Sequence, residues 1–192
     1  MLQHLHQYTV ILASKSPRRQ ELLRGMGVKF ECVTKETLEN YPEMPLKKVA
    51  GYLSRQKSLA FSDEELPKNY LLITADTVVI AGNEILGKPA DRADALRMLN
   101  LLSGQTHVVV TGVTLRSKKH VKTFSASSSV TFASLDPEEM SYYVDHYRPF
   151  DKAGAYGIQE WIGYIGISGL RGSFYNVMGL PTQRLYQALK NF

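Results

Sequence analysis

The stretch Leu71–Ile80 reads as a single apolar strand, rich in β-branched residues, with one ionisable side chain, Asp76, in its middle. Any fold of this chain has to accommodate that carboxylate. Aspartate is disfavoured in strands, and a buried charge without compensation costs several kcal/mol. Asp76 must therefore be paired, bound to a metal or placed where a ligand meets it, as happens at strand ends in α/β sheets. No opposite charge stands beside it in sequence, which favours a functional role over a local salt bridge.

The flanking periodicities alternate between strand and helix. Tyr8–Ala13 is a short buried strand that runs into Ser14-Lys15-Ser16-Pro17-Arg18-Arg19 and then into helical spacing of Leu22, Leu23 and Met26. Ser16 is suited to the N-cap and Pro17 to the first helical position. Val28–Val33 predicts a second strand, and Leu46–Phe61 an amphipathic helix. Gly82-Asn83 predicts a turn into Glu84–Leu86. Asp91–Leu102 predicts a helix. His107–Leu115 and His120–Ala133 alternate as an antiparallel pair bent at Ser117-Lys118-Lys119. A helix follows over Glu138–Tyr147 and another over Pro181–Lys190. Pro149–Pro181, rich in glycine and aromatics, offers no long regular element. The pattern is mixed α/β, with no repeat, linker or low-complexity tract, and residues 1–192 read as one domain.

With 192 residues, 44% of them hydrophobic and 21% charged, the chain can bury a core and is not of the disordered class. A net charge of +5 attracts an anionic partner. The basic residues are scattered, and no aromatic–basic ladder of the RNA-binding type is present, so nucleic acid is not the expected partner. Cys32 stands alone, which excludes an internal disulfide and fits a reducing compartment. The N-terminus lacks the charged and cleavage regions of a signal peptide, and the apolar run Tyr70–Ala81 is too short to span a bilayer. The expectation is a cytoplasmic protein without membrane contact.

Three places carry candidate chemistry. Ser14, Ser16, Arg18 and Arg19 stand between a strand and a helix start, where hydroxyls, guanidiniums and backbone N–H groups can cradle a phosphate chain. The alternative there is a plain cap with solvated arginines. Replacing Arg18 or Arg19 is expected to lower affinity at unchanged stability. Asp76 is the second place. The third, Gly82-Asn-Glu-Ile-Leu-Gly87-Lys88-Pro89, approaches a phosphate-binding loop but ends in proline, which offers neither hydroxyl nor amide proton. The loop reading is rejected, and Lys88 is kept as a point charge for phosphate. The histidines (His4, His6, His107, His120, His146) show no ligand spacing, and no nucleophile elbow occurs.

Taken together, Ile11-Leu-Ala-Ser14-x-Ser16-Pro-Arg18-Arg19-x-Glu21-Leu22-Leu23, Ala75-Asp76-Thr77-Val78-Val79, Gly87-Lys88-Pro89, Leu102-Ser103-Gly104-x-Thr106-His107, Asp151–Gln159 and Asn176–Pro181 resemble the Maf family along nearly the whole chain. The resemblance implies an α/β fold similar to inosine triphosphate pyrophosphatases: a long mixed sheet flanked by helices, with two lobes and a central cleft. It implies a nucleoside triphosphate substrate, cleaved to monophosphate and pyrophosphate with Mg²⁺ or Mn²⁺, and leaves a homodimer open. The Asp151–Gln159 block resembles the subgroup acting on dTTP and UTP. By the same resemblance Asp76 is the catalytic base or metal-organising carboxylate. Arg18, Thr77 and Gln159 are specificity positions, Ser14, Arg19, Lys57 and Lys88 surround the phosphates, and Glu39 joins Asp76 at the metal. Two positions depart from the family. Leu38 stands where one of a pair of acidic residues is usual, and Glu160 stands where glycine usually follows the glutamine, placing a charge beside the base-reading stretch. The rival readings are the 7-methyl-GTP type of the same family and a non-catalytic nucleotide-binding regulator.

Overall fold

The computed structural model describes residues 2–192. Its strands are β1 (Thr9–Ala13), β2 (Glu31–Val33), β3 (Tyr70–Ala81), β4 (Glu84–Leu86), β5 (Thr106–Arg116), β6 (Val121–Phe132) and β7 (Ile167–Arg171). Its helices are α1 (Pro17–Gly25), α2 (Leu46–Leu59), α3 (Arg92–Leu102), α4 (Pro137–Tyr147), α5 (Trp161–Gly166), α6 (Phe174–Met178) and α7 (Thr182–Lys190). The seven strands form one sheet in the order β2-β1-β3-β5-β6-β7, with β4 paired to β3. β1 runs parallel to both β2 and β3, whereas β4 and β7 pair antiparallel with β3 and β6, so the sheet is mixed. The expected strand–helix sequence is all present. The segment after Pro149 adds a 3-10 turn at Ala153–Ala155 and the short elements α5, β7 and α6, which its glycines and aromatics concealed. No helix among the described residues is long and apolar enough to cross a membrane.

The chain divides into two compact units, the first comprising residues up to Asp76 with Thr111–Ala126 and Gly179–Phe192, the second Thr77–Val110 with Ser127–Met178. In the first unit Ile11, Phe61, Leu66, Tyr70 and Leu72 form a buried apolar cluster, backed by Ala13 and Val33. α2 lies directly on β5. A Cβ at Gly112 would stand 2.3 Å from the backbone of Ala50 and Gly51, so only glycine permits that approach. A buried hydroxyl relay fixes the register. Thr74 Oγ1 donates to the Ser54 carbonyl at 2.6 Å, and Ser54 Oγ shares a hydrogen bond with Thr114 Oγ1 at 2.9 Å. Side chains two apart on a strand share a face, and residues three apart on a helix are neighbours. With Thr74 locked to Ser54, Asp76 and Lys57 are brought together by geometry alone.

In the second unit α3 turns Ala95, Met98, Leu99 and Leu102 inward, while Leu96, which the periodicity also places on that side, is only half-buried, and α4 buries Met140, Tyr143 and Val144. The Gly82-Asn83 turn joins β3 to β4, pairing Ala81 with Glu84. The turn between β5 and β6, which lies in the first unit, is closed by the Ser117 N–H on the His120 carbonyl at 2.8 Å.

Candidate active site

The first unit assembles a group of charges around Asp76. Its side chain is 8% exposed, and Lys57, in the last turn of α2, places Nζ 2.5 Å from Asp76 Oδ1 and 2.8 Å from Glu39 Oε1. Glu39 comes from the irregular stretch between β2 and α2, and its side chain is half exposed. Burial pushes the Asp76 carboxyl above its ordinary range, against the opposing pull of Lys57 and Arg19, and the neighbouring charge of Glu39 adds to the rise. A carboxylate held among cations yet still raised is tuned toward accepting a proton.

Arg19, in the first turns of α1, is half-buried and donates Nε to the Gly179 carbonyl and Nη1 to the Ala75 carbonyl, both at 2.8 Å. Burial lowers its pKa from the ordinary value, with Asp76 and Glu39 opposing and Arg18 assisting. A guanidinium nevertheless stays charged at physiological pH. Arg19 is thus a structural tie as well as a charge beside Asp76, a double role that the sequence expectation of unchanged stability missed. Arg18 precedes it, half-buried. Ser14, 8% exposed, accepts the Ser16 N–H on Oγ at 3.2 Å. Ser16 occupies the predicted cap position, with Pro17 first in the helix, but its hydroxyl bonds none of the helix N–H groups. The cap expected from the residue type is therefore positional only.

The second unit holds the remaining candidates. Thr77 follows Asp76 on β3 and is half-buried. Lys88 is exposed just beyond β4, in a segment tied to the Asp151–Gln159 block by the Gly154 N–H on the Gly87 carbonyl at 3.0 Å. Gln159 is half-buried, and its Oε1 is buried while accepting no hydrogen bond. A buried acceptor without a donor costs about 1–3 kcal/mol unless something supplies one.

The surroundings of Gln159 combine residues of the Asp151–Gln159 and Leu102–His107 motifs with Tyr143 and Phe132, which motif reasoning did not single out. Lys152 Nζ, almost fully buried, pairs with Asp151 Oδ1 at 2.7 Å and with Glu160 Oε1 at 3.1 Å. Tyr143 donates its hydroxyl to Glu160 Oε2 and accepts the Gly157 N–H at 2.9 Å. His107 Nε2 meets the Tyr156 hydroxyl at 2.7 Å, and both rings pack edge-on against Phe132. Burial lowers the His107 pKa to about 4, so it is neutral, in keeping with the structural role its lack of ligand spacing suggested. The sequence cues to this layer were the Asp151–Gln159 block and Glu160, the charged departure, while nothing pointed to Tyr143 or Phe132.

The site is a buried strand carboxylate with cations gathered on it, carried by a mixed sheet flanked by helices. The chain belongs to the Maf-like protein family, whose pattern it matches over residues 9–192. It is 53% identical to a dTTP/UTP pyrophosphatase of Porphyromonas gingivalis, covering 100% of this chain and 98% of that one. It is 48% identical to the Parabacteroides distasonis protein of the same name, covering both completely, and 50% identical to that of Bacteroides thetaiotaomicron over 99% of each. A solved dITP/XTP pyrophosphatase from Mycobacterium abscessus aligns with 94% of each chain at 15% identity and a TM-score of 0.42, too distant a likeness to bear on the site.

Proposed function

We propose that this chain hydrolyses dTTP and UTP to the monophosphate and pyrophosphate with the help of a divalent cation. The full-length relatives carry that activity in their names, and the observation that carries the reading is Asp76, buried, raised in pKa and gripped by Lys57. Lys57 engages Oδ1, and Asp76 takes a proton on Oδ2 from a water aligned on the α-phosphorus. Attack forms the new P–O bond, the α–β bridging bond breaks, and pyrophosphate leaves. Arg18, Arg19 and Ser14, all in the first unit, neutralise the phosphates, which matters because the leaving group carries the developing charge.

Glu39 and Asp76 carry hard carboxylate oxygens of the kind that holds Mg²⁺ or Mn²⁺, and they flank the Lys57 ammonium at 2.8 and 2.5 Å. Among the described residues no three of His, Cys, Asp and Glu gather, so substrate phosphate and water would complete the ion's shell around Glu39 and Asp76. When bound, the ion supplies charge neutralisation and a more acidic water. Pyrophosphate release from a panel of nucleotides with Mg²⁺ or Mn²⁺ tests the reading; no release from UTP or dTTP sinks it.

Base choice falls to Gln159 and Thr77. A carboxamide offers a donor and an acceptor, matching O4 and N3–H of uracil or thymine, and the buried Oε1 without a donor is an acceptor awaiting such a group. Sites built on buried hydrogen bonds reject the wrong pattern strongly. Gln159→Ala is expected to reduce the preference for UTP over CTP by at least about tenfold, measured as the ratio of kcat/KM values. An unchanged ratio would remove Gln159 from base reading.

Arg19→Ala is expected to lower kcat/KM by about 10- to 100-fold, the loss of one charge-assisted contact. Because the Gly179 and Ala75 carbonyls then lose a donor, its Tm falls as well. Arg19→Lys restores the charge without the forked pair of contacts and recovers neither fully. Full recovery of both activity and Tm in the lysine variant would contradict the structural tie.

A further inference from the structure

We infer that Glu160, held by Lys152 and Tyr143, is a positioning residue that sets the carboxamide of Gln159 and through it the selectivity for the base. The inference rests on the reading of Gln159 as the base-reading group. Gln159 sits within a tight turn, since the Glu160 N–H donates to the Gly157 carbonyl at 3.0 Å, three residues back. A turn that closes on one backbone hydrogen bond is easily deformed, and the Gln159 acceptor has no bond of its own to hold it. Orientation has to come from the ends of the turn.

Glu160 supplies it at both ends. Its backbone closes the turn, and its carboxylate folds back over Gly157, where a Cβ would lie 2.8 Å from the carboxyl carbon. Tyr143 completes the loop, receiving the Gly157 N–H while donating to Glu160 Oε2. Lys152 holds the other oxygen, Oε1, from a side chain only 9% exposed. On the N-terminal side, Tyr156 is anchored to His107 and Phe132. The carboxylate that the sequence places as a loose charge beside the base-reading stretch is instead spent on a lysine and a tyrosine. A Cβ at position 157 would displace that carboxylate from its present place, which couples Gly157 to the position of Glu160. A charge-assisted, mostly buried arrangement of this kind holds geometry better than a surface pair.

The test compares Glu160→Ala, Glu160→Gln, Tyr143→Phe and Gly157→Ala with the unmutated protein, using kcat and KM for UTP, dTTP and CTP together with Tm. Glu160→Ala is expected to raise KM for UTP and dTTP by about tenfold with a smaller change in kcat, and to leave CTP hydrolysis nearly unchanged, so that the UTP/CTP ratio collapses. Glu160→Gln keeps hydrogen-bonding oxygen and shape and is expected to recover most of the ratio. Tyr143→Phe and Gly157→Ala, which disturb the same loop from other sides, should lower the ratio in parallel. In a Gln159→Ala background, Glu160→Ala should cause no further change in the ratio, because the residue through which it acts is gone. Equal losses on all three nucleotides with a lowered Tm in every variant would mean a purely structural brace and would overturn the inference. So would an unchanged UTP/CTP ratio in Glu160→Ala, or additive effects in the double variant. If the unmutated protein itself shows no preference for UTP and dTTP, the base reading has failed, an outcome visible before any Glu160 variant is made.

Discussion

Asp76→Asn is expected to lower kcat by roughly 100- to 10,000-fold, the range for loss of a general base, while the protein stays folded. Asparagine keeps the size and the hydrogen-bonding oxygen that Lys57 meets, but it cannot take a proton. The pH profile provides the second signature. Since burial holds the Asp76 carboxyl above its ordinary range, the rate should rise with pH through a limb lying above the usual carboxylate value of about 3.9. That limb should vanish in the variant.

Stability separates catalysis from architecture. A carboxyl whose folded pKa is raised binds its proton more tightly in the folded state, so stability falls as pH climbs from the unfolded pKa through the folded one. At neutral pH the ionised Asp76 therefore works against folding, despite Lys57. Asp76→Asn should unfold at an equal or higher temperature than the unmutated protein, the pattern of a site that trades stability for activity. A variant that kept near-normal turnover, or whose Tm dropped by several degrees, would return Asp76 to the role of a structural ion pair.

Much of this was legible in the chain, for physical reasons. The long strand announced itself through β-branched residues, and its aspartate demanded compensation that only a distant residue could give. The partner was not legible from periodicity. Lys57 follows Leu53 by four residues, a polar position on the inward face of α2 with its side chain 20% exposed, and it reaches Asp76 because Thr74 and Ser54 set the register of α2 and β3, a tertiary fact. Arg18 and Arg19 are alike in sequence, yet the structure gives Arg19 two backbone carbonyls from separate segments. Helix α5, strand β7 and helix α6 were hidden because Ile-Ser-Gly-Leu-Arg is too short and too interrupted for a period-two signal. The brace around Gln159 was hidden because ion pairs across a turn leave no spacing rule. Glu160 gave itself away only as a charge where the family has none.

Lys57→Met gives the other large effect, and it reads how Asp76 is tuned. The ammonium is the nearest counter-charge to a carboxylate 8% exposed, and it separates that carboxylate from Glu39. Removing one partner of a buried pair typically costs about 3–5 kcal/mol when the other remains charged. A carboxyl escapes most of that by taking a proton, so the loss appears as a further rise in the Asp76 pKa. Arg19 still supplies positive charge, and Glu39 is half exposed, so the rise should fall short of the full cost of an unpaired charge. The acid limb of the rate profile then moves to higher pH. Where the unmutated enzyme is already on its plateau, the variant should be down by about 10- to 100-fold at the foot of its displaced limb. Raising the pH should recover part of the deficit. A lysine that served only to hold phosphate would behave differently, raising KM at every pH and leaving the limb where it was. In Lys57→Met/Asp76→Asn no carboxyl is left at position 76 to titrate. The double variant should then lose the limb entirely and be no slower than Asp76→Asn alone, because lysine's effect on the base disappears with the base. A pH-independent tenfold loss added on top of the Asp76→Asn deficit would assign Lys57 to the phosphates instead.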